Sequence, residues 1–242
     1  MGHPIYKRIL LKLSGELLGG ESGCGIDGPS LQKLSSQVCD VMALGVEIAV
    51  VVGGGNLIRG GSGSIPGVDR IQADSMGMLA TIINGLALKN CLESQGISSL
   101  VQSAIPIEGL VPPFNEKEAV SHLKQGNPIV FAGGTGHPYF TTDTTAVLRA
   151  VEIEADAVLK GTKVDGVYST DPKTDPQATK YDQLSFLEVL EKGLKVVDAT
   201  AAALCMDHNM PLIVFNIQQQ DVLKRILLGE SLGTVVKGAD HD

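Results

Sequence analysis

Basic residues are scarce in this chain of 242: 19 Lys and Arg against 27 Asp and Glu leave a net charge of −8, and the basic ones are scattered. A phosphate-backbone surface needs a basic patch, so the reading carries no nucleic-acid partner. Cysteine is equally sparse. Cys24, Cys39, Cys91 and Cys205 lie far apart and form no CxxC pair, and the five histidines show no ligand spacing with one another or with cysteine. That spacing gives a structural zinc site no support. No secretory hydrophobic segment follows Met1 and no apolar run is long enough to cross a bilayer. The expectation is a cytoplasmic protein with reduced thiols and no membrane association. Tryptophan is absent altogether.

What the chain does have is glycine, 29 of them, spread between short apolar runs. Residues 8–13 (RILLKL), 46–52 (VEIAVVV), 128–132 (PIVFA), 157–160 (AVLK) and 211–216 (PLIVFN) read as buried strands. Helical patterns lie between them. One is capped by Ser30 and stops at Gly45, and one opens on an Asn115/Glu118 capping box. Others run from about Asp74 to Gln95, from Asp143 to Glu154 and from Asp198 to His208. Alternating strand and helix implies right-handed crossovers and a mostly parallel sheet covered on both faces, which binds ligands at the carboxyl ends of its strands. The polar stretch 168–182, with Pro172 and Pro176, reads as an exposed loop that serves as a hinge or lid.

Three glycine turns follow strands: KLSGE at 12–16, GGGNLIRG at 53–60 and AGGTGHPYFTTD at 132–143. None fits GxxxxGK[ST]. None fits GxGxxG either, because Ile58 and Tyr139 occupy the last glycine positions. Backbone amides, helix N-termini and the charges of Lys12 and Arg59 nevertheless suit several anionic groups held together. Lys12 either bridges the oxygens of a transferring phosphoryl group or is a strand lysine reaching solvent. Arg59 and Asp74 either form a loop salt bridge or contact a phosphate and a sugar hydroxyl respectively. Thr135, Gly136, Thr141, Thr142 and Asp143 suit a phosphate or sugar, and N-capping by Thr142 or Asp143 also accounts for part of the pattern. Asp143 and Asp198 are the two carboxylates able to orient clustered lysines. Tyr168, in the turn GTKVDGVYSTDP, is an aromatic able to stack on a base.

Taken in order, KRILLKLSGE, VVVGGGNLIRG, DSMGMLAT, AGGTGHPYFTTD, EADAVLKGTKVDGVYSTDP and LKVVDATAAALCMDHNMPLIVFNI resemble the bacterial uridylate kinases of the amino-acid-kinase family, over about residues 6–236. The resemblance implies one domain over 1–242, an α/β/α three-layer sandwich. Its acceptor site would come mainly from the N-terminal part and its ATP site mainly from the C-terminal part. It implies reversible phosphoryl transfer from ATP to UMP with Mg²⁺, in a cytoplasmic homohexamer activated by GTP and inhibited by UTP. Carried over position by position, Lys12, Leu13, Ser14, Gly15, Gly55 and Arg59 meet ATP phosphates, and Thr162, Tyr168 and Asp171 meet its adenosine end. Gly54, Asp74, Thr135, Gly136, His137, Pro138, Tyr139, Phe140, Thr141 and Thr142 hold UMP. Gly20, Glu21, Ser22, Gly23, Cys24 and Gly25 match the GTP segment. No dedicated protein site is implied for the metal, which accompanies the nucleotide phosphates. Lys12, Arg59, Asp143 and Asp198 form the catalytic set, whereas Lys160 and Lys163 receive no role. Three positions depart from the family pattern: Cys24 for an aromatic, His137 for asparagine and Gly161 for alanine.

Two other readings compete. Within the same fold, carboxylate or carbamate kinases are rivals. GGGNLIRG with TGHPYFTTD favours the nucleotide acceptor, and a chain ending near residue 242 disfavours aspartokinase. A non-catalytic nucleotide or oxyanion binder is the other, and the joint presence of Lys12, Arg59, Asp74 and Asp143 argues against it.

Overall fold

A strand buried on both faces must be apolar throughout, and RILLKL is nearly so: all but Lys12 of Arg8–Leu13 (β1) are buried. The computed structural model describes residues 3–58, 66–172 and 174–238. Along β1 the side chains alternate. Ile9, Leu11 and Leu13 enter one core and Leu10 enters the other, so Lys12 shares the face of Leu10.

The first half of the chain adds α1 (Gly28–Met42), β2 (Glu47–Val52), α2 (Arg70–Ser94), β3 (Leu100–Ser103), α3 (Glu116–Lys124), β4 (Ile129–Ala132) and α4 (Thr142–Glu152). The second half begins with β5 (Ala157–Thr162), followed by the two-residue strands β6 (Val167–Tyr168) and β7 (Lys180–Tyr181) and by β8 (Gln183–Ser185). It closes with α5 (Phe186–Glu191), α6 (Ala199–Asp207), β9 (Leu212–Asn216), α7 (Val222–Leu227) and β10 (Thr234–Lys237).

Eight strands form one sheet in the order β3-β4-β2-β1-β5-β9-β10-β8. The run from β3 to β9 is parallel; β10 is antiparallel to β9, and β8 is parallel to β10. Core residues of α1, α2 and α7 pack on one face and those of α3, α4, α5 and α6 on the other, which gives the three layers expected. After β4 the chain passes over β2 and β1 to reach β5 on the far side. This reversal opens a crevice at the carboxyl ends of β1, β2 and β5.

Several boundaries differ from the sequence reading. Asp27, not Ser30, caps α1: its carboxylate accepts from Ser30 N at 2.9 Å, and Pro29 fits the first turn. Asp69 caps α2 by accepting from Gln72 N at 2.8 Å, which moves Asp74 from the helix start into the second turn. Asn115 caps α3, but the capping box is opened by Gln102. Its amide accepts from Asn115 N at 3.1 Å and donates to Glu118 at 2.8 Å. Thr141, rather than Thr142 or Asp143, caps α4. The stretch 168–182 is closed at its base by an antiparallel pairing, Val167 with Tyr181 and Tyr168 with Lys180. The strands β3, β8 and β10 and the helices α5 and α7 lie outside the sequence reading. Each has at most 6 residues and mixes polar with apolar ones, so its periodicity is short.

Candidate active site

β1 and β5 run parallel with Lys12 opposite Lys160. Both lysines project to the face covered by α4, because Leu10 and Val158, two residues earlier on each strand, belong to that core. The Thr141 hydroxyl accepts from the backbone of Asp143 at 3.0 Å and of Thr144 at 3.4 Å, starting α4 so that Asp143 falls in its first turn above the lysines. The Asp143 carboxylate then bridges them: Lys12 Nζ is 2.9 Å from Oδ1 and Lys160 Nζ is 2.6 Å from Oδ2. Lys12 therefore meets Oδ1 as an ion pair at hydrogen-bonding distance, and both carboxylate oxygens are taken up by lysines. Lys160 also donates to Val196 O at 2.5 Å.

The three side chains are 13–15% exposed, so these are largely desolvated charges. Burial by itself would raise the Asp143 carboxyl. The charges of Lys12 and Lys160 outweigh it and hold the group below the usual carboxylate range. Burial pushes the Lys160 ammonium down, and the Lys12 charge adds to this while Asp143 partly offsets it. Behind the carboxylate, burial and the Asp143 charge push the Cys205 thiol up to about 12, which makes it a packing residue rather than a nucleophile. Lys160 is the residue that sequence reasoning missed. The sequence carried part of the signal, a lysine after a buried apolar run on each strand, but the register that sets the two side by side comes from the parallel pairing of β1 with β5.

Asp198 does not reach the lysines as Asp143 does. It accepts from the Thr141 hydroxyl, from Thr144 Oγ1 at 2.8 Å and from Ala201 N at 2.9 Å, so it caps α6 and ties that helix to α4. A cleft of about 410 Å³ lined by Lys160, Asp143, Lys195 and Asp198 reaches the cluster from this side.

The glycine loops meet beside Lys12. Ser14 and Gly15 turn into a single 3-10 turn, and a Cβ on Gly15 would lie 2.6 Å from both Gly53 O and Asn56 Oδ1. Gly54 carries a similar demand: its Cβ would lie 2.7 Å from Gly77 O. Asn56 and Asn84, both buried, exchange amide hydrogen bonds of 2.6 and 3.1 Å, and Asn84 also donates to Gly53 O at 2.8 Å. Leu13 is fully buried, which leaves its backbone as its available part. Arg59 lies outside the described residues.

A second cleft, of about 260 Å³, is walled by Gly54, Gly55, Asp74, His137, Phe140, Thr141 and Thr142, together with Arg70, Gly77, Met78 and Thr81 of α2. Gly55, assigned to ATP phosphates, thus faces the same cleft as Gly54. Thr135, Gly136, Pro138 and Tyr139 belong to the loop behind this wall. Asp74 accepts from Arg70 Nε at 2.7 Å and from Tyr139 N at 2.8 Å. That second bond holds Tyr139 at φ 72°, a left-handed conformation costly for a residue with a Cβ. Arg70, 5.7 Å from the Tyr139 ring, was not singled out by sequence.

The residues assigned to the adenosine end lie apart from this cleft. Thr162 ends β5 and donates to Val164 O at 2.7 Å, Tyr168 donates to Asp165 at 2.7 Å, and Asp171 lies in the loop between β6 and β7. The segment Gly20–Gly25 is joined to the glycine loop: Gly25 N donates to Asn56 O at 2.9 Å, and Asn56 Nδ2 donates to Gly25 O at 2.6 Å. Cys24 is exposed and Ser22 Oγ donates to Gly19 O at 2.9 Å.

Among the described residues no three His, Cys, Asp or Glu side chains gather as metal ligands. Both oxygens of Asp143 face lysines, and those of Asp198 face hydroxyls and a backbone amide. Such a donor set fits Mg²⁺ carried on nucleotide phosphates and not a cage built by the protein. No helix among the described residues is long and apolar enough to cross a membrane.

The amino acid kinase family profile matches residues 7–216. A curated uridylate kinase from Legionella pneumophila (strain Paris) is 53% identical over 237 residues, covering 98% of this chain and 96% of that protein. Among solved structures, UMP kinase from Bacillus anthracis matches with a TM-score of 0.93 at 38% identity, covering 97% of each chain. UMP kinase from Ureaplasma parvum matches with a TM-score of 0.88 at 39% identity, covering 96% of this chain and 98% of the other. On the fold, the site geometry and these matches together, the chain belongs to the amino acid kinase family, and within it to the uridylate kinases.

Proposed function

We propose that this uridylate kinase transfers the terminal phosphoryl group of ATP to UMP, giving UDP and ADP, as a step of pyrimidine nucleotide synthesis in the cytoplasm. The observation that carries the reading is the cluster Lys12, Asp143 and Lys160, whose members lie 2.9 and 2.6 Å apart in a buried setting beside the glycine loop. The cluster holds two ammonium groups against one carboxylate, a fixed net positive charge in a partly dry site.

An oxygen of the UMP phosphate is already ionised near neutral pH and attacks the terminal phosphorus of ATP in line. The new P–O bond forms as the bond to the ADP oxygen breaks. No side chain needs to remove a proton, and the lowered Asp143 carboxyl is poorly suited to do so. Its part is to hold Lys12 and Lys160 where charge builds up on the transferring group, so that no reorganisation is required during reaction. Glycine-loop amides, and Arg59 by family resemblance, assist. Mg²⁺ would supply further charge neutralisation on the phosphates. Asp74 is assigned to a sugar hydroxyl, with acceptor capacity left beside its bonds to Arg70 and Tyr139.

Regulation by GTP and UTP and assembly as a homohexamer belong to the same reading. The bonds between Gly25 and Asn56 support the first, since they join the segment assigned to GTP to the glycine loop. An exposed apolar row on α2, Ile71, Leu79 and Ile83 at 50%, 47% and 52% exposure, supports the second.

Coupled ADP release with UMP, CMP, dUMP and aspartate side by side tests the activity. UMP should give the highest kcat/KM, with chelation by EDTA abolishing turnover and added Mg²⁺ restoring it. Binding of ATP and UMP without ADP release would discard the enzyme reading, and preferred turnover of aspartate would reassign the acceptor. In the same assay GTP should raise and UTP lower the rate, and flat titrations would remove the regulatory assignment. Light scattering should give a mass six times the 25.3 kDa of the chain, and any other multiple would refute the hexamer.

A further inference from the structure

The helix α2 carries two interior glycines, and the protein needs only one of them. A Cβ on Gly85 would sit 3.4 Å from Ala132 Cβ and from Val130 Cγ1, so this glycine lets the helix lie close on β4. Gly77 is different. It lies in mid-helix without a positive φ, and a Cβ built on it meets nothing within 4 Å. Glycine inside a helix is destabilising relative to alanine, because it leaves the unfolded chain more freedom to lose. Neither packing nor backbone conformation calls for it here.

Gly77 opens instead on the 260 Å³ cleft. Asp74, Gly77, Met78 and Thr81 stand at helical spacings of three, four and seven and together form the α2 wall of that cleft. Opposite, Gly54 sits so close to the helix that its own Cβ would lie 2.7 Å from Gly77 O, whereas Gly55 has open space. Bare backbone from a loop and from a helix therefore faces the cleft at one place, one helical turn from the carboxylate assigned to the acceptor sugar.

We infer that Gly77 is a specificity-determining residue, whose missing side chain leaves room for the nucleoside face of the acceptor monophosphate beside Asp74. This rests on the assignment of the cleft to UMP. A side chain at 77 would project into the space that the sugar and pyrimidine fill. The glycine is kept at a cost to the helix for the sake of the occupant.

The test is Gly77→Ala in the full chain, read by thermal melting, by steady-state kinetics and by light scattering. An alanine should raise Tm by about 2–4 °C. In the same protein KM for UMP should rise by at least about tenfold, with KM for ATP and the assembled mass unchanged. A protein made more stable yet weaker for its acceptor alone is a pairing that a purely structural glycine would not produce. A lowered Tm would overturn the inference by showing that the fold needs the glycine. So would an unchanged KM for UMP, and so would an altered mass, which would place position 77 at a subunit contact. Wild-type protein that turns over no UMP would instead overturn the assignment of the acceptor, and the inference with it.

Discussion

Lys12 breaks the apolar run of residues 9–13 in β1, and a largely desolvated charge is retained only where something compensates it. Asp143 compensates it in the resting site, and the transferring phosphoryl group would do so during reaction. Lys12→Ala should therefore lower kcat by about 10²–10³-fold, while the calorimetric dissociation constant for UMP moves far less. Equal losses in turnover and binding would mean that Lys12 acts on the ground state. Asp143 gives a second prediction at this scale. Asp143→Asn leaves two ammonium groups side by side without their counter-charge and should cost about 3–5 kcal/mol at neutral pH. Because the folded carboxyl lies below its ordinary value of 3.8, its contribution is fully present above that pH and is lost as pH falls through the lowered value. The gap in urea midpoint between wild type and variant should be widest near pH 7 and narrow below about pH 4. A gap of constant width would refute the ion-pair account.

At the scale of elements, α2 does three jobs along its 25 residues. Its first turns carry Asp74 and Gly77 to the cleft, Thr81 accepts from Gly133 N at 2.8 Å, and fully buried Asn84 holds the glycine loop. Asn84 spends its amide on Gly53 O and Asn56, so Asn84→Ala would strand buried polar groups at a cost of about 1–3 kcal/mol. The loop so loosened faces the cleft and packs on Gly15, and KM for ATP and for UMP should rise together. A loss of urea stability with both constants unchanged would show that Asn84 only fills the core. Much of this was hidden from the sequence. The helix reads as apolar from about Asp74, but its true start at Arg70 depends on the Asp69 cap, a single side chain with no periodicity to reveal it. The strands β1, β2, β4, β5 and β9 were legible because burial on both faces demands unbroken apolar runs. The edge strands β3 and β8 and the outer strand β10 are short and less uniformly apolar, and tertiary pairing decides them.

At the scale of the whole molecule, the crevice arises from the chain's passage over β2 and β1 on its way from β4 to β5, which joins loops from both halves. Sequence by itself determined the alternating class, the glycine turns at strand ends, and Lys12, Asp74 and Asp143 as charged groups beside them. These follow from local rules: periodicity reports burial, and glycine after a strand reports close approach. Lys160 beside Lys12, Asp198 turned to the caps of α4 and α6, and Gly77 facing the cleft were decided only by the tertiary structure. Their neighbours lie far away along the chain, and strand order and register, which no local pattern encodes, bring them together.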